Sequence, residues 1–588
     1  MASKFKQNIA TLLPTRSQGE VILEYYLEYV DWIYHVIHAP TVRERFDSLY
    51  TNIEMGLPPN YAHLALISTL FALSAYFSTA TSGLYFKPSE SMIYSRRWTL
   101  LAQEALSATN CLAEPSIETL QSLILISQHM MANIGAIAML RTLSTTIMHT
   151  ARTMSLHTLD TARNKRLREN TTVDYVDLEV KRRIWWHIVS TDWLLSFMSG
   201  AQCGTYMIHP KQMNVDYPSN VDDDHIIPLG PASYAQPPSV PTEMTYHIFR
   251  LRFSAVFREM VDAAWETGSD MDDLPYEIVL ELDKKLSAIA ADFDNSYSAL
   301  TKNVPNNARP GTPRVDGKIP DAKRMRLIRQ RNLAQFGMHT RLARLHRPYL
   351  VRGAQDPRYS YSRMVCLRSA RTVIELGKMM AESSKEISYI KMWFVNHHVF
   401  VSTVILVMDY CFNREEPRAR ERREEILECF RLLEGSRDES TIASRGLAKL
   451  KSMLGEKSGE ARGMGREGVD NASRQRPPPP PTPAVSNSQQ QSQPYHPTSS
   501  SSTSSNFNIL QPPPEQLQFP TAPTYQTTPY TDIDDFSTAS NPGISHTGLQ
   551  NAWSEFDSLS FDNINFDVDL DASQFEVLFQ GIDATAYS

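Results

Sequence analysis

No lysine or arginine occurs between Pro477 and Ser588, a stretch that carries twelve acids and fifteen of the chain's 36 prolines. All 58 basic side chains lie upstream, against 53 acids, so a body of net +5 is joined to a tail of net −12. Such segregation divides the chain into a folding body and a separate interaction tail. After Gly455 the composition turns to Gly, Ser, Gln and Pro, with a proline run at Pro477–Pro481 suited to polyproline II and a Ser/Thr run from Thr498 to Ser505. Segments like this bury too little apolar surface to offset the entropy of ordering, so disorder is expected.

From 531 to 588 the acids alternate with bulky apolar residues, among them Phe556, Phe561, Phe566, Phe575 and Phe579. The acids keep the rings solvated and free to enter a partner's groove as a short amphipathic helix. This alternation is the compositional mark of a transcriptional activation region, and its partner would be the transcription machinery.

The body reads as helices, with little strand patterning. Helices are expected over Val21–Ile37, Ala62–Phe77, Trp98–Leu112, Ile117–Met131, Ile134–Leu156, Val176–Met198, Met244–Trp265, Tyr276–Tyr297, Ala322–Leu345, Ser362–Met380, Met392–Tyr410 and Arg420–Leu433. Pro40 is read as ending the first of these. Ala62–Phe77 is apolar but short of the ~20 residues a bilayer span needs, so it reads as a buried helix. In Val176–Met198, Trp185, Val189, Trp193 and Phe197 recur at every fourth position and other apolar residues cover the remaining faces. A helix of that kind belongs at the centre of a bundle. Asp192 would then be buried and would need a cation or a backbone donor.

Few arrangements suit catalysis or metal binding. The five cysteines, Cys111, Cys203, Cys366, Cys411 and Cys429, include no close pair, which excludes a thiolate zinc module in these residues and fits buried small hydrophobes in a reducing compartment. Gly463–Gly468 matches GxGxxG but lies in the Gly-rich region with no strand before it. Asp31, His35 and His38 could share one helix face and hold a metal, though capping and core polar contacts explain them as well. No catalytic, cofactor-binding or metal residue is assigned, and an enzyme is not expected. Lys323, Arg324, Arg326, Arg329 and Arg331 form a basic cluster that reads as nuclear import or phosphate contact. It reads equally as a solvated helix face with Met325, Ile328, Leu333 and Phe336 buried behind it.

Several segments together resemble the middle homology region of fungal-specific zinc-cluster transcription factors. These are Leu13-Pro-Thr-Arg16, Tyr25-Tyr26, His38-Ala-Pro-Thr41, Ala151–His157, Arg182-Arg-Ile-Trp-Trp186 with Asp192 and Gly200, Asp216-Tyr-Pro218 with Asp222-Asp223, and Leu345–Leu350 with Cys366 and Ala370-Arg371. The likeness runs over roughly residues 12–430. It implies an all-α, multi-helix regulatory domain that is not an enzyme, followed here by a disordered acidic C-terminal tail. Two departures stand out. Ala201-Gln202 replaces the usual Arg-Pro after Gly200, and the family's six-cysteine zinc cluster has no counterpart in these residues.

The expected organisation is a linker at 1–19, a helical body at 20–455, a linker at 456–530 and an acidic-aromatic region at 531–588. The resemblance implies a nuclear transcription regulator, an activator by its tail and by analogy one serving secondary metabolism. Homo- or heterodimers with zinc-cluster regulators would accompany that role. The alternative is an adaptor or inhibitor that reaches promoters through such a partner, or a sequence that lacks an upstream cluster. No membrane association is expected.

Overall fold

The computed structural model describes residues 9–111, 113–134, 137–197, 203–228, 235–302, 321–383, 385–435, 447 and 450–451. Among the described residues, fifteen α-helices can be followed along their length. They are α1 Arg16–Tyr25, α2 Ala39–Glu54, α3 Tyr61–Phe77, α4 Ser91–Ala108, α5 Ile117–Ile134, α6 Ile137–Thr153, α7 Ala162–Glu169, α8 Tyr175–Leu195, α9 Thr245–Thr267, α10 Tyr276–Lys302, α11 Asp321–His346, α12 Arg352–Gln355, α13 Ser360–Glu382, α14 Trp393–Phe412 and α15 Ala419–Gly435. No strand occurs among the described residues. The expected tail and its phenylalanines, Phe556, Phe561, Phe566, Phe575 and Phe579, lie outside them, as does Gly463–Gly468.

The first expected helix is corrected by the structure. A capping box between Thr15 and Gln18 starts α1 early, and the chain then passes through a π-turn at Tyr26–Val30 and a 3₁₀ turn at Asp31–Ile33. At His35 the backbone turns left-handed with φ 46°, ending the helical run. Pro40 does not stop a helix but starts one. It sits in the first turn of α2, where its missing N–H has no intrahelical acceptor to lose, and the His38 ring accepts from the Thr41 N–H as the cap. Short α7 also escapes a pattern-based reading, because none of its residues is buried and it has no apolar stripe to find.

Burial organises the remainder. Asn60 caps α3, and Leu64 to Phe77 are all buried as α3 packs against α4 and α5. α14 is long and apolar enough to cross a membrane, but most of that stretch is packed inside the protein. α13 and α14 approach so closely that a Cβ at Gly377 would stand 2.7 Å from Val399 Cγ2, so any larger residue would force that side chain to shift. One apolar cluster joins α1–α6, α8 and α13–α15 around Trp98, Trp185 and Phe400, and takes in Leu251 of α9 and Leu333, Phe336 and Ala343 of α11. A second joins the end of α8 to α9, α10 and α11 around Phe249, Phe257, Phe293 and Tyr297. α8 takes part in both, as expected of a central helix, and so do α9 and α11.

Candidate functional site

Successive residues on a helix point about 100° apart, and Arg182 and Arg183 of α8 accordingly serve different partners. Arg182 holds Asp160 through Nη2 at 2.7 Å and Nε at 3.0 Å, and Glu179 through Nη1 at 2.7 Å. Glu179 in turn accepts from the backbone N–H of Ser219 at 2.9 Å, and Asp160 from that of Asp216 at 2.9 Å. The loop after α8 is thereby tied along the helix. Trp186 reinforces the tie by donating from Nε1 to the Asp216 carbonyl at 2.9 Å.

Arg183 turns inward. Its Nη1 meets Asp223 Oδ1 at 2.6 Å, and the other oxygen of Asp223 accepts from the Ala39 N–H at the start of α2, at 2.9 Å. His35 lies 3.7 Å from Asp223 and 2.7 Å from Asp31. Burial alone would push the Asp223 carboxyl up, but the Arg183 and His35 charges and the Ala39 N–H hold it far below the usual carboxylate range. Burial and Arg183 depress His35, yet Asp31 and Asp223 prevail and leave it raised. Asp31, His35 and His38 therefore do not form a metal-binding face. The left-handed turn at His35 ends the helix they were expected to share: Asp31 and His35 pair with each other, while His38 Nδ1 lies 2.8 Å from Thr41 Oγ1. Among the described residues no group of three His, Cys, Asp or Glu side chains is placed to hold a metal ion.

Asp192 finds the backbone donors that its burial demanded, the N–H groups of Met207 at 2.9 Å and Ile208 at 2.8 Å. Burial still outweighs these bonds and pushes its carboxyl up to about 6. The folded state then keeps this proton over a pH range where the unfolded chain has released it, so this group's contribution to stability falls as pH rises towards 6 and is gone above it. The stability advantage of wild type over Asp192→Asn is expected to shrink by roughly 1 kcal/mol between pH 5 and pH 7.5. Urea unfolding of both proteins at the two pH values measures it, and an advantage that grows with pH would refute the assignment.

The basic cluster on α11 faces the body's own acids. Lys323 pairs with Asp222, Arg326 lies 2.7 Å from Glu28 and 2.8 Å from Glu243, Arg329 lies 3.1 Å from Glu386, and Arg331 lies 3.6 Å from Asp294. Arg324 is half-buried. Four of the five cations thus join α11 to distant carboxylates. Leu333 and Phe336 are buried behind the cluster, Ile328 only partly, and Met325 is exposed rather than covered.

A cavity of about 160 Å³ opens where the two apolar clusters meet. Its apolar lining includes Ile33, Leu194, Leu333 and Phe336, and its polar lining includes His187, Thr191, Tyr246, Arg250, Arg341 and His398. Burial holds the His187 and His398 imidazoles well below their usual range, and nearby arginines add to the effect. The sequence pattern does not point to this site: Arg341 continues the acid-free basic run that begins at Lys323, but nothing in the sequence joins it to Arg250 on another helix.

Comparison with known proteins places this helical body among regulators. Residues 23–267 match the fungal specific transcription factor domain. The agnestins biosynthesis cluster transcription factor AgnL11 of Paecilomyces divaricatus is 47% identical over 449 residues, which are 76% of this chain and 63% of that protein. The probable transcription factor lepB of Aspergillus flavus is 32% identical over 448 residues, 75% of this chain and 77% of its own length. Transcription factor TAS2 of Pyricularia oryzae is 28% identical over 374 residues, 61% of this chain and 45% of that protein. The chain thus spans less than two thirds of the agnestins and TAS2 factors.

Proposed function

We propose, from the premise that this chain belongs to the family of fungal-specific transcription factors, that it is a nuclear activator of a secondary-metabolite biosynthesis gene cluster. The observation that carries the reading is the likeness, over three quarters of the chain, to a factor named for such a cluster. The helical body has a regulatory role, which fits the pairing of most α11 cations with its own carboxylates. The acidic-aromatic tail recruits the transcription machinery, and the body pairs with itself or with zinc-cluster relatives at promoters.

The activator part has a direct test. Residues 477–588, fused to a heterologous DNA-binding domain, are expected to switch on a reporter. Replacing Phe561, Phe566, Phe575 and Phe579 together by alanine is expected to weaken the response more than deleting Thr498–Ser505 does, because docking rests on the rings. A silent fusion would remove the activator reading, and equal losses would remove the aromatic one. Deleting the gene is expected to lower transcripts of a contiguous biosynthetic cluster, read by RNA sequencing. Unchanged or raised cluster transcripts would count against activation.

A further inference from the structure

Most arginines in this body have a carboxylate at hand, as Arg182, Arg183, Arg326, Arg363 and Arg422 do. Arg250 and Arg341 differ. Arg250 of α9 donates to Ser190 Oγ and, at 3.0 Å, to Thr191 Oγ1. Arg341 of α11 donates to its own helix at the Gly337 carbonyl, 2.9 Å away, and its guanidinium lies 5.8 Å and 5.9 Å from the ring centres of Phe253 and Phe257. No described acid pairs with either. Both are half-buried, and both line the same cavity. Burial and the neighbouring Arg250 and Arg344 charges pull Arg341 down to about 10, so two like charges crowd a space that holds no counter-charge. The imidazoles beside them, which burial holds well below their usual range, can supply no negative charge, and His187 Nε2 is buried without a described partner.

We infer that this cavity binds a small aromatic carboxylic acid, with its carboxylate at Arg250 and Arg341 and its ring against Phe336, Leu333, Leu194 and Ile33. A guanidinium fork matches a carboxylate and forms the stronger, charge-assisted kind of hydrogen bond. The apolar walls reject a bare inorganic anion, which would surrender its hydration for them. The volume agrees with a single ring, since a cavity of about 150 Å³ lined by aliphatic and aromatic side chains accommodates benzene.

Gly337 supports the assignment. Beyond its chain neighbours and the backbone of its own helix, a Cβ in its place would meet Arg341 Nη1 at 3.4 Å and no other atom within 4 Å. A glycine in a helix interior is destabilising relative to alanine, and here its absent side chain keeps the space beside the guanidinium open.

Isothermal titration calorimetry on the full chain tests the site, with benzoate, the neutral analogue benzamide and inorganic phosphate as probes. Saturable one-to-one binding of benzoate is expected, with benzamide and phosphate each at least about tenfold weaker. Arg341→Gln is expected to lose at least about tenfold in benzoate affinity. Arg252→Gln, which removes a surface cation paired with Asp292, leaves that affinity unchanged. Gly337→Leu guards against a folding defect, because leucine favours the helix while filling the cavity, so its thermal midpoint holds or rises as benzoate binding disappears. The inference is overturned if benzoate gives no saturable heat, if benzamide or phosphate binds as tightly, or if Arg341→Gln or folded Gly337→Leu binds benzoate like the wild type.

Discussion

Asp223→Ala lowers the unfolding free energy by about 3–5 kcal/mol, while Asp224→Ala, one residue on, changes it by less than about 0.5 kcal/mol. Asp224 is exposed. Asp223 is 6% exposed, and it joins α8 through Arg183 to the first turn of α2 through the Ala39 N–H. Removing it strands the buried Arg183 charge, and an uncompensated buried charge is much costlier than a lost surface pair. The pH dependence follows from the depressed carboxyl. Its contribution is fully present above the unfolded value near 3.9 and is lost as pH falls through the lower folded value. Wild type and Asp223→Ala should therefore stay well separated at pH 5 and converge only in stronger acid. Guanidinium unfolding of the wild type and both variants reads this directly. Equal losses at 223 and 224 would mean that the junction is not formed in solution.

Trp185→Ala is the second large effect, at about 3–5 kcal/mol. Trp185 is wholly buried in the larger apolar cluster, with the His157 ring 5.9 Å from its own, and alanine leaves a cavity that so dense a core closes only in part. Trp265→Ala is the control. That indole is 72% exposed and donates one hydrogen bond to the Gly204 carbonyl, so its removal is expected to cost about 1 kcal/mol. Matched thermal unfolding scans separate the two, and a Trp185→Ala loss no larger than that of Trp265→Ala would contradict the packing of α8.

Arg182, Arg183, Trp185 and Trp186 thus do three different things from one short stretch of helix. The first ties down the following loop, the second anchors α2 through Asp223, the third fills the core, and the fourth fastens the loop again at Asp216. The acidic segment Asp222-Asp223 is the counterpart of this motif. Asp222 accepts from the Glu243 N–H near the start of α9 and pairs with Lys323 of α11, while Asp223 turns to α8 and α2. A basic cluster that reads as an import or phosphate-binding face is, for most of its charges, one half of such long-range pairs.

The sequence alone determined the features whose signal is local and repeated. The all-helical class, the central place of α8, the burial of α3 and the demand of Asp192 for a donor all follow from apolar spacing and from the cost of burying a charge. Periodicity failed where the local signal was absent or read two ways. α7 has no apolar face, and Pro40 at the first turn of α2 looks the same in sequence as a proline that ends α1. Tertiary structure alone decided which charges meet. Lys323 and Asp222 are 101 residues apart, and the Arg250–Arg341 cavity is formed by helices from different parts of the chain. Composition records how many charges a chain has and where they lie along it. Whether a cation is neutralised depends on which carboxylate comes within a few ångströms when the helices pack, since Coulomb attraction in a partly buried site is decided at that range.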